Sequence, residues 1–434
     1  MQEETAVKHM TDCERRTASP HLLVLSSPKT LISLFLVLVG LVGESATAAD
    51  FSVTPSIAVS EEYNDNIFET ETGKRTDYIT RILPGGTLLY STPLWDWNTA
   101  YTFDYRYYAR RSRDDDTTHN LSTRGLVKVV DEVVFLELTD TYKRVSLDVS
   151  RDTSNESLFV NQSDQNIFSA SPFVRIRSIP QTTVKSGYRY TNTWYKDPSG
   201  IDKTEHRAFA DLSYEYSPYL TLTAGYIYAL QETSVSDFTK HDVFAGLRYE
   251  YAEKSFLFAQ AGNAWIVNRG GISLSSPVWN AGITHDFGTV VATVSTELRY
   301  TEDPLRAASE ETTYGARIEK RLERGSLAVN ASYSDFVDTA TDRLENRRYG
   351  GGFAVRHELT ERLAGSLGFN AERYEQELRA GRTHKFFVDA GLTYLLPESF
   401  TLALNYRFID YSSPQIAADN HRVNRAIVEL RKTF

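Results

Sequence analysis

Nine histidines occur in the chain, and His119, His206, His241, His285, His357, His384 and His421 lie beyond residue 49. Histidine is the side chain that most readily moves a proton near neutral pH. A hydrolase also needs a nucleophile and an orienting group within reach of that base. None of these histidines stands in a G-x-S-x-G, H-E-x-x-H or His-x-x-x-His pattern. The acidic run Asp114-Asp115-Asp116 has the oxygen chemistry of a divalent-cation ligand, but also that of a solvated loop, which is the simpler reading. The sequence therefore predicts no catalytic residue, no metal ligand and no cofactor.

Other charged and polar residues are more informative, because they recur at every second position of apolar stretches. Asp104, Arg106, Arg189, Asp211, Glu215, Arg248, Glu297 and Arg299 follow this rule, as do Arg317, Glu319, Arg348, Arg356, Glu372, Asp389, Asn405 and Arg407. Their chemistry is that of a wet, mixed-charge surface along which a hydrophilic solute can slide. Arginine forks suit carboxylates, and tyrosine faces can stack on sugar rings. The plain alternative is that these charges solvate an interior and pair with one another.

Two-residue alternation is the period of a β-strand with one greasy and one wet face. In "DWNTAYTFDYRYYA", Trp97, Tyr101, Phe103, Tyr105 and Tyr107 oppose Asn98, Thr102, Asp104 and Arg106. "FTLALNYRF" sets Phe400, Leu402, Leu404, Tyr406 and Phe408 against Thr401, Asn405 and Arg407. "TVVATVSTELRY" sets Val290, Ala292, Val294, Leu298 and Tyr300 against Thr293, Ser295, Glu297 and Arg299. Helix-period patterns are scarce.

Two kinds of connection alternate along the chain. Nine are tight: "STPLWD", "VDEV", "SIPQT", "YSPYL", "AEKS", "DFGT", "ERGS", "ELTER" and "LPES". Each carries residues that close a hairpin. The others are longer and more polar, as in "EYNDNIFETETGKR", "RSRDDDTTHN", "KDPSGIDK", "TEDPLRAASEE" and "VDTATDRLEN". Hairpins short at one end and long at the other are the pattern of a bacterial outer-membrane barrel. The sequence thus predicts an all-β, transmembrane antiparallel β-barrel of about 20 strands, with 18 or 16 also compatible. A soluble propeller or sandwich would alternate too, but the uneven connections and the aromatic-rich strand ends favour lipid as the partner of the greasy face.

Bulk composition agrees. A net charge of −10 argues against a nucleic-acid partner. The single Cys13 excludes a disulfide framework. Residues 1–49 read as a leader and secretory signal, with Lys29 before the apolar run "LISLFLVLVGLV" and small residues Ala46-Thr47-Ala48 after it. Residues 50–434 then form a single barrel domain.

The stretch "PSIAVSEEYNDNIFET" followed by "TDYITRILPGG" resembles the outer-membrane β-barrel porin family whose members accompany bacterial exopolysaccharide loci. The matching positions are Glu62, Tyr63, Asp65, Asn66, Ile67, Phe68, Asp77, Ile79, Pro84 and Gly85. The resemblance implies an outer-membrane barrel that conducts passively or exports a polymer, with no agreed catalytic residues. Physically, Asn64, Asp65 and Asn66 suit turns. Ile67 and Phe68 are placed to pin the first loop to the rim, and Asp77 to reach the neighbouring loop.

The chain ends "AIVELRKTF", with Ala426, Val428, Leu430 and the terminal Phe434 on one parity. That ending resembles the signal that outer-membrane barrels present to their assembly machinery. The partners expected are outer-membrane lipid, the barrel-assembly machinery and periplasmic polysaccharide-export proteins, with a monomer as the default. The function expected is passage of a hydrophilic solute, plausibly an exopolysaccharide, through a charged lumen. The alternative is a non-conducting structural or adhesion barrel whose lumen is blocked by loops.

Overall fold

The computed structural model describes residues 49–147, 162–177, 179–234, 237–268, 273–301, 309–338, 343–376, 381–415 and 420–434. The expected leader and signal lie outside the described residues, Ala49 excepted. Residues Ala49–Phe434 make one unit.

That unit is a meander of twenty antiparallel strands. The first ten are β1 (Asp50–Asn64), β2 (Asp77–Ser91), β3 (Trp95–Tyr108), β4 (Asp116–Val130), β5 (Val134–Ser146), β6 (Gln162–Ile176), β7 (Thr182–Tyr195), β8 (Lys203–Ser217), β9 (Leu220–Thr233) and β10 (Phe238–Ala252). The second ten are β11 (Ser255–Asn268), β12 (Ser273–Asp286), β13 (Val290–Thr301), β14 (Ser309–Leu322), β15 (Gly325–Asp338), β16 (Arg343–Glu358), β17 (Leu363–Gln376), β18 (Gly381–Leu395), β19 (Phe400–Ser412) and β20 (His421–Thr433). No helix occurs among the described residues. Each strand pairs with its sequence neighbours, and β1 pairs with β20 from Ser56↔Thr433 to Asn64↔Arg425, so the sheet closes into a barrel. Closure leaves no unpaired edge, which lipid would not satisfy.

All nine tight connections predicted from sequence fall at one end, which we call the turn end, with both barrel termini. Several turns place a non-glycine residue in the left-handed region, Glu132 (φ 59°) and Lys254 (φ 53°) among them, while "DFGT" uses Gly288 (φ 91°). The opposite, loop end carries the longer connections. Strands of 12 to 16 residues reach about 40–50 Å along their own axes, so they outrun the hydrocarbon even when tilted.

Proline leaves a visible mark on the ladders because it has no N–H to donate. The β2–β3 pairing skips Leu83 and Pro84, and the β6–β7 pairing skips Ser171 and Pro172. Gly85 follows the first gap for a steric reason. A Cβ there would lie 2.5 Å from the Tyr101 carbonyl oxygen.

The outward face is apolar and unpacked. Val294 is 56% exposed and Leu404 48%, and Val428 and Leu430 on β20 are likewise exposed. Aromatics gather toward both strand ends, with Tyr63, Tyr78, Trp194 and Trp265 near the loop end and Trp95, Tyr214, Tyr249 and Phe434 near the turn end. Three further outward rings, nearer mid-strand, form a repeated dyad. Tyr101, Tyr188 and Tyr226 each share a hydrogen bond with Nδ1 of His119, His206 and His241 on the next strand, at 2.8, 2.5 and 2.8 Å. Lys432, outward but at the turn-end rim, turns its ammonium back to the Glu398 carbonyl and over the Phe400 and Phe434 rings.

Candidate functional site

Register fixes which residues share the inner wall. Starting from Glu62 and Asn64, opposite-partner positions run through Asp104↔Thr118, Arg189↔Arg207 and Asp211↔Lys185 on the first half. They continue through Arg299↔Glu311, Arg348↔Ser334, Glu372↔Lys385 and Asp389↔Arg407, and return by Arg407↔Arg425 to Asn64. All sixteen residues singled out in the sequence, including Glu215, Arg248, Glu297, Arg317, Glu319, Arg356 and Asn405, occupy this inward parity. On a strand, i and i+2 share a face, so same-strand pairs such as Arg317–Glu319 (3.1 Å) and Arg248–Glu250 (3.5 Å) also line it.

At the loop end the charges knit into a belt. Arg425 reaches Glu62 at 2.8 Å, and Arg81 and Arg106 both hold Asp104 at 2.6 Å. Arg106 then faces Asp116 (3.6 Å), Arg144 joins Asp116 (2.6 Å) to Asp164 (2.8 Å), and Lys196 closes on Asp164 (3.5 Å). The belt spans β20 and β1–β6 and ends in the β7–β8 connection, alternating in sign; its members as far as Asp116 stand on the inward parity, whereas Arg144 and Asp164 stand on the opposite parity of β5 and β6. Most of its members are buried: Glu62 is 0% exposed and Asp104, Arg106, Asp164 and Arg425 are nearly so. Across the barrel, Glu311 receives Arg299 (3.1 Å) and Arg348 (3.5 Å), and Glu372 receives Lys385 (3.3 Å) and the buried Tyr374. Sequence reading singled out Asp104, Arg106, Arg299, Arg348 and Glu372 but missed Arg81, Asp164, Arg144 and Arg425. Arg425 had a signal, since it continues the wet parity of Glu429 and Arg431.

The turn end of the wall is open. Glu215, Arg248, Arg317, Arg356 and Asn405 are exposed there, and Arg407 bonds to Asp389 across β18 and β19. It also carries what the sequence reading did not anticipate. Phe135, Phe173 and Phe209 lie on the inward parity of β5, β6 and β8 and form a buried cluster with Leu126 and Ile227. Arg175 and Lys185 lie over these rings.

The family-like residues sit at the β20–β1–β2 seam and in the first loop. Asp65 accepts from the Asn424 amide (2.7 Å) and its side-chain nitrogen (2.6 Å), tying the first loop to the last strand. Asn66, fully buried, donates to the carbonyls of Thr70 (2.7 Å) and Arg422 (3.0 Å), and its own amide donates to Asn64. Ile67 is buried at the rim, and Arg75 covers Phe68. Asp77 accepts from the amides of Arg110 (2.8 Å) and Ser112 (3.1 Å) in the β3–β4 loop. Tyr63 packs at a tilt against Tyr78 on the outward face, Pro84 faces outward too, and Ile79 is buried inward. In the acidic run, Asp115 accepts from Tyr105 (2.8 Å), and Asp116 belongs to the belt. Among the described residues no three histidine, cysteine or acidic side chains group as metal ligands would.

No family model matches the chain, and no curated protein matches its sequence. Solved structures do match. The siderophore receptor PirA from Pseudomonas aeruginosa aligns at TM-score 0.52 and 10% identity, over 88% of this chain and 80% of that one. The FrpB iron transporter from Neisseria meningitidis aligns at TM-score 0.51 and 8% identity, over 88% and 82%. OccK3 from Pseudomonas aeruginosa covers 89% and 96% at 11% identity, with a TM-score of 0.43. At such identities the likeness is one of fold, and the fold is a closed, twenty-stranded antiparallel barrel of the outer-membrane type.

Proposed function

We propose that the protein is a conduit in the bacterial outer membrane that passes a charged, hydrophilic solute without covalent chemistry. One observation carries the reading: in a closed wall, the charged residues that alternate with apolar ones in the sequence, from Asp104 to Arg407, all stand on the inward parity. An arginine on the outward face at mid-membrane would cost about 2–4 kcal/mol, while one facing a watery lumen costs little. A barrel of this size is wider than its own side chains fill. By analogy with such barrels the turn end faces the periplasm and the loop end faces outward. The solute enters at the open turn end and meets the ion-paired constriction beneath the loops. The apolar outer wall takes membrane lipid as its partner, and Val428, Leu430 and Phe434 are the residues offered to the assembly machinery.

The finer version, export of an exopolysaccharide handed over by periplasmic export proteins, rests on the seam motif of Glu62, Asp65, Asn66 and Asp77. Normal surface polysaccharide after deletion of the gene would remove that version alone. The reading as a conduit is tested by planar-bilayer recording of the purified full barrel. Stepwise conductance is expected, and silence even after removal of the outer loops would sink it. The buried belt favours one competing reading, a barrel closed at the loop end that acts as an adhesion or structural element, and that silence would support it.

A further inference from the structure

Phe244 on β10 stands in a clearing of the inner wall. Both of its directly opposed partners are glycines, Gly225 on β9 and Gly262 on β11, and the next inward residue toward the turn end of its own strand is Gly246. A Cβ on Gly225 would stand 2.2 Å from the Phe244 Cζ and 2.6 and 2.8 Å from its two Cε atoms. Such a point lies above the ring, because beyond the tip in the ring plane both Cε atoms would fall farther back. The ring is therefore laid flat over that glycine. Phe244 is half-buried, and among the described residues no cation and no other ring stands against it. Its second face looks into the lumen. The inward rings at the turn end of β11 differ: Phe258 touches Phe256 at 6.3 Å, and Arg248 covers Phe256 at 3.5 Å.

Polar side chains ring the clearing. Asp211 opposes Gly225, and Thr223 and Gln260 flank Gly246 on either side. A Cβ on Gly246 would stand 3.0 Å from the Thr223 Oγ1 and 3.1 Å from the Gln260 Cβ, so the glycine keeps open the slot between them. Asn280 opposes Gln260 one strand farther on. Among the described residues the side chains of Thr223, Gln260 and Asn280 make no hydrogen bond, and Asp211 makes neither a hydrogen bond nor an ion pair at bonding distance. Lys185, the opposite partner of Asp211, leans over the Phe173 and Phe209 rings instead. The other cations nearby are engaged, Lys240 with Asp242 at 2.8 Å and Arg248 with Glu250 at 3.5 Å.

We propose that the clearing is a binding site for uncharged nucleobases and nucleosides that carry an exocyclic amine, with the base stacked on Phe244 and its edge bonded to Asp211, Thr223 and Gln260. The inference goes beyond the conduit reading and rests on it only for the ligand's route. An open aromatic face stacks a base. A side-chain amide offers a donor and an acceptor to match a base edge, and a carboxylate accepts from an amine there. A phosphate would meet the Asp211 carboxylate, and the cations nearby already have partners, so the nucleoside is favoured over the nucleotide. Sugar hydroxyls would bond to the same groups, but a saturated ring brings no π-face to Phe244. The inward tyrosines Tyr108, Tyr195, Tyr374 and Tyr411, whose faces could stack on a sugar, are buried.

The test compares the full barrel with Phe244→Leu and Asp211→Asn, each first checked for the folded band on unheated gels. Adenosine added at the turn end should block the potassium chloride current at concentrations where ribose and maltotriose do not. Phe244→Leu should weaken that block about tenfold, the size of a lost stacking partner, and leave the current without adenosine unchanged. Asp211→Asn should weaken the block by adenosine but not the block by purine riboside, which lacks the amine. Adenosine no better than ribose, maltotriose matching adenosine, block unchanged in Phe244→Leu, or an Asp211→Asn barrel that treats adenosine and purine riboside alike would each overturn the site. If neither the barrel nor its variants conduct, the conduit reading fails instead. Adenosine binding to the micellar protein, measured by saturation-transfer NMR, then decides the site: loss in Phe244→Leu supports it, and retention overturns it.

Discussion

Asp104 at the loop end and Arg317 near the turn end are both inward-facing charges, yet they live differently. Asp104 is held by two arginines from two strands and its side chain is 8% exposed. Among the described residues Arg317 pairs with Glu319 on its own strand, and it keeps 58% of its side chain in solvent. The first charge is used up in stitching neighbouring strands together, whereas the second remains available to whatever passes. A wall of uniform composition is thereby divided by geometry into a sealed rim and a receptive mouth.

That contrast can be broken by single substitutions. Asp104→Ala leaves Arg81 and Arg106 facing each other without a counter-charge, and should cost about 3–5 kcal/mol in urea unfolding from micelles. A loss under about 1 kcal/mol would show that the rim is not sealed. Val294→Arg, on the outward face, should cost about 2–4 kcal/mol by the same assay. Ser295→Arg, one residue on and facing inward, should fall below about 1 kcal/mol, and equal costs would erase the distinction between the faces. Arg317→Ala should also stay below about 1 kcal/mol while shifting the reversal potential in a salt gradient toward cations. An unmoved potential would place Arg317 away from the ion path.

The smallest effect concerns the exposed β7–β8 loop that carries the last member of the belt. The Ser199 hydroxyl and amide donate to Asp197 at 2.6 and 2.9 Å and hold its carboxyl below the ordinary value. The order this lends the loop is present above the unfolded carboxylate value and is lost as pH falls through the depressed folded one. An NMR titration of the Ser199 amide should follow that loss, and Ser199→Ala should return Asp197 toward its ordinary value.

Strand number, the nine turns and the two-faced pattern were legible in the sequence because each depends on neighbours within a few residues. Cross-strand partners were not. Arg144 meets Asp116 from 28 positions away, and no local pattern encodes that register. The phenylalanine cluster was hidden for a different reason. Assigning aromatics to lipid by residue type sends Phe135 outward, although it shares its parity with Glu137 and Thr139 in "VFLELT". Parity, followed strictly, would have placed it inside.

The tyrosine–histidine dyads carry a consequence for how the barrel tolerates its host. Each satisfies a phenol and an imidazole nitrogen with one bond, so rising hydrocarbon can submerge the pair without stranding both groups. The turn-end rim has less slack, because Lys432 there already folds its ammonium back to the Glu398 carbonyl. On the conduit reading, a thicker bilayer should therefore be taken up on the loop side.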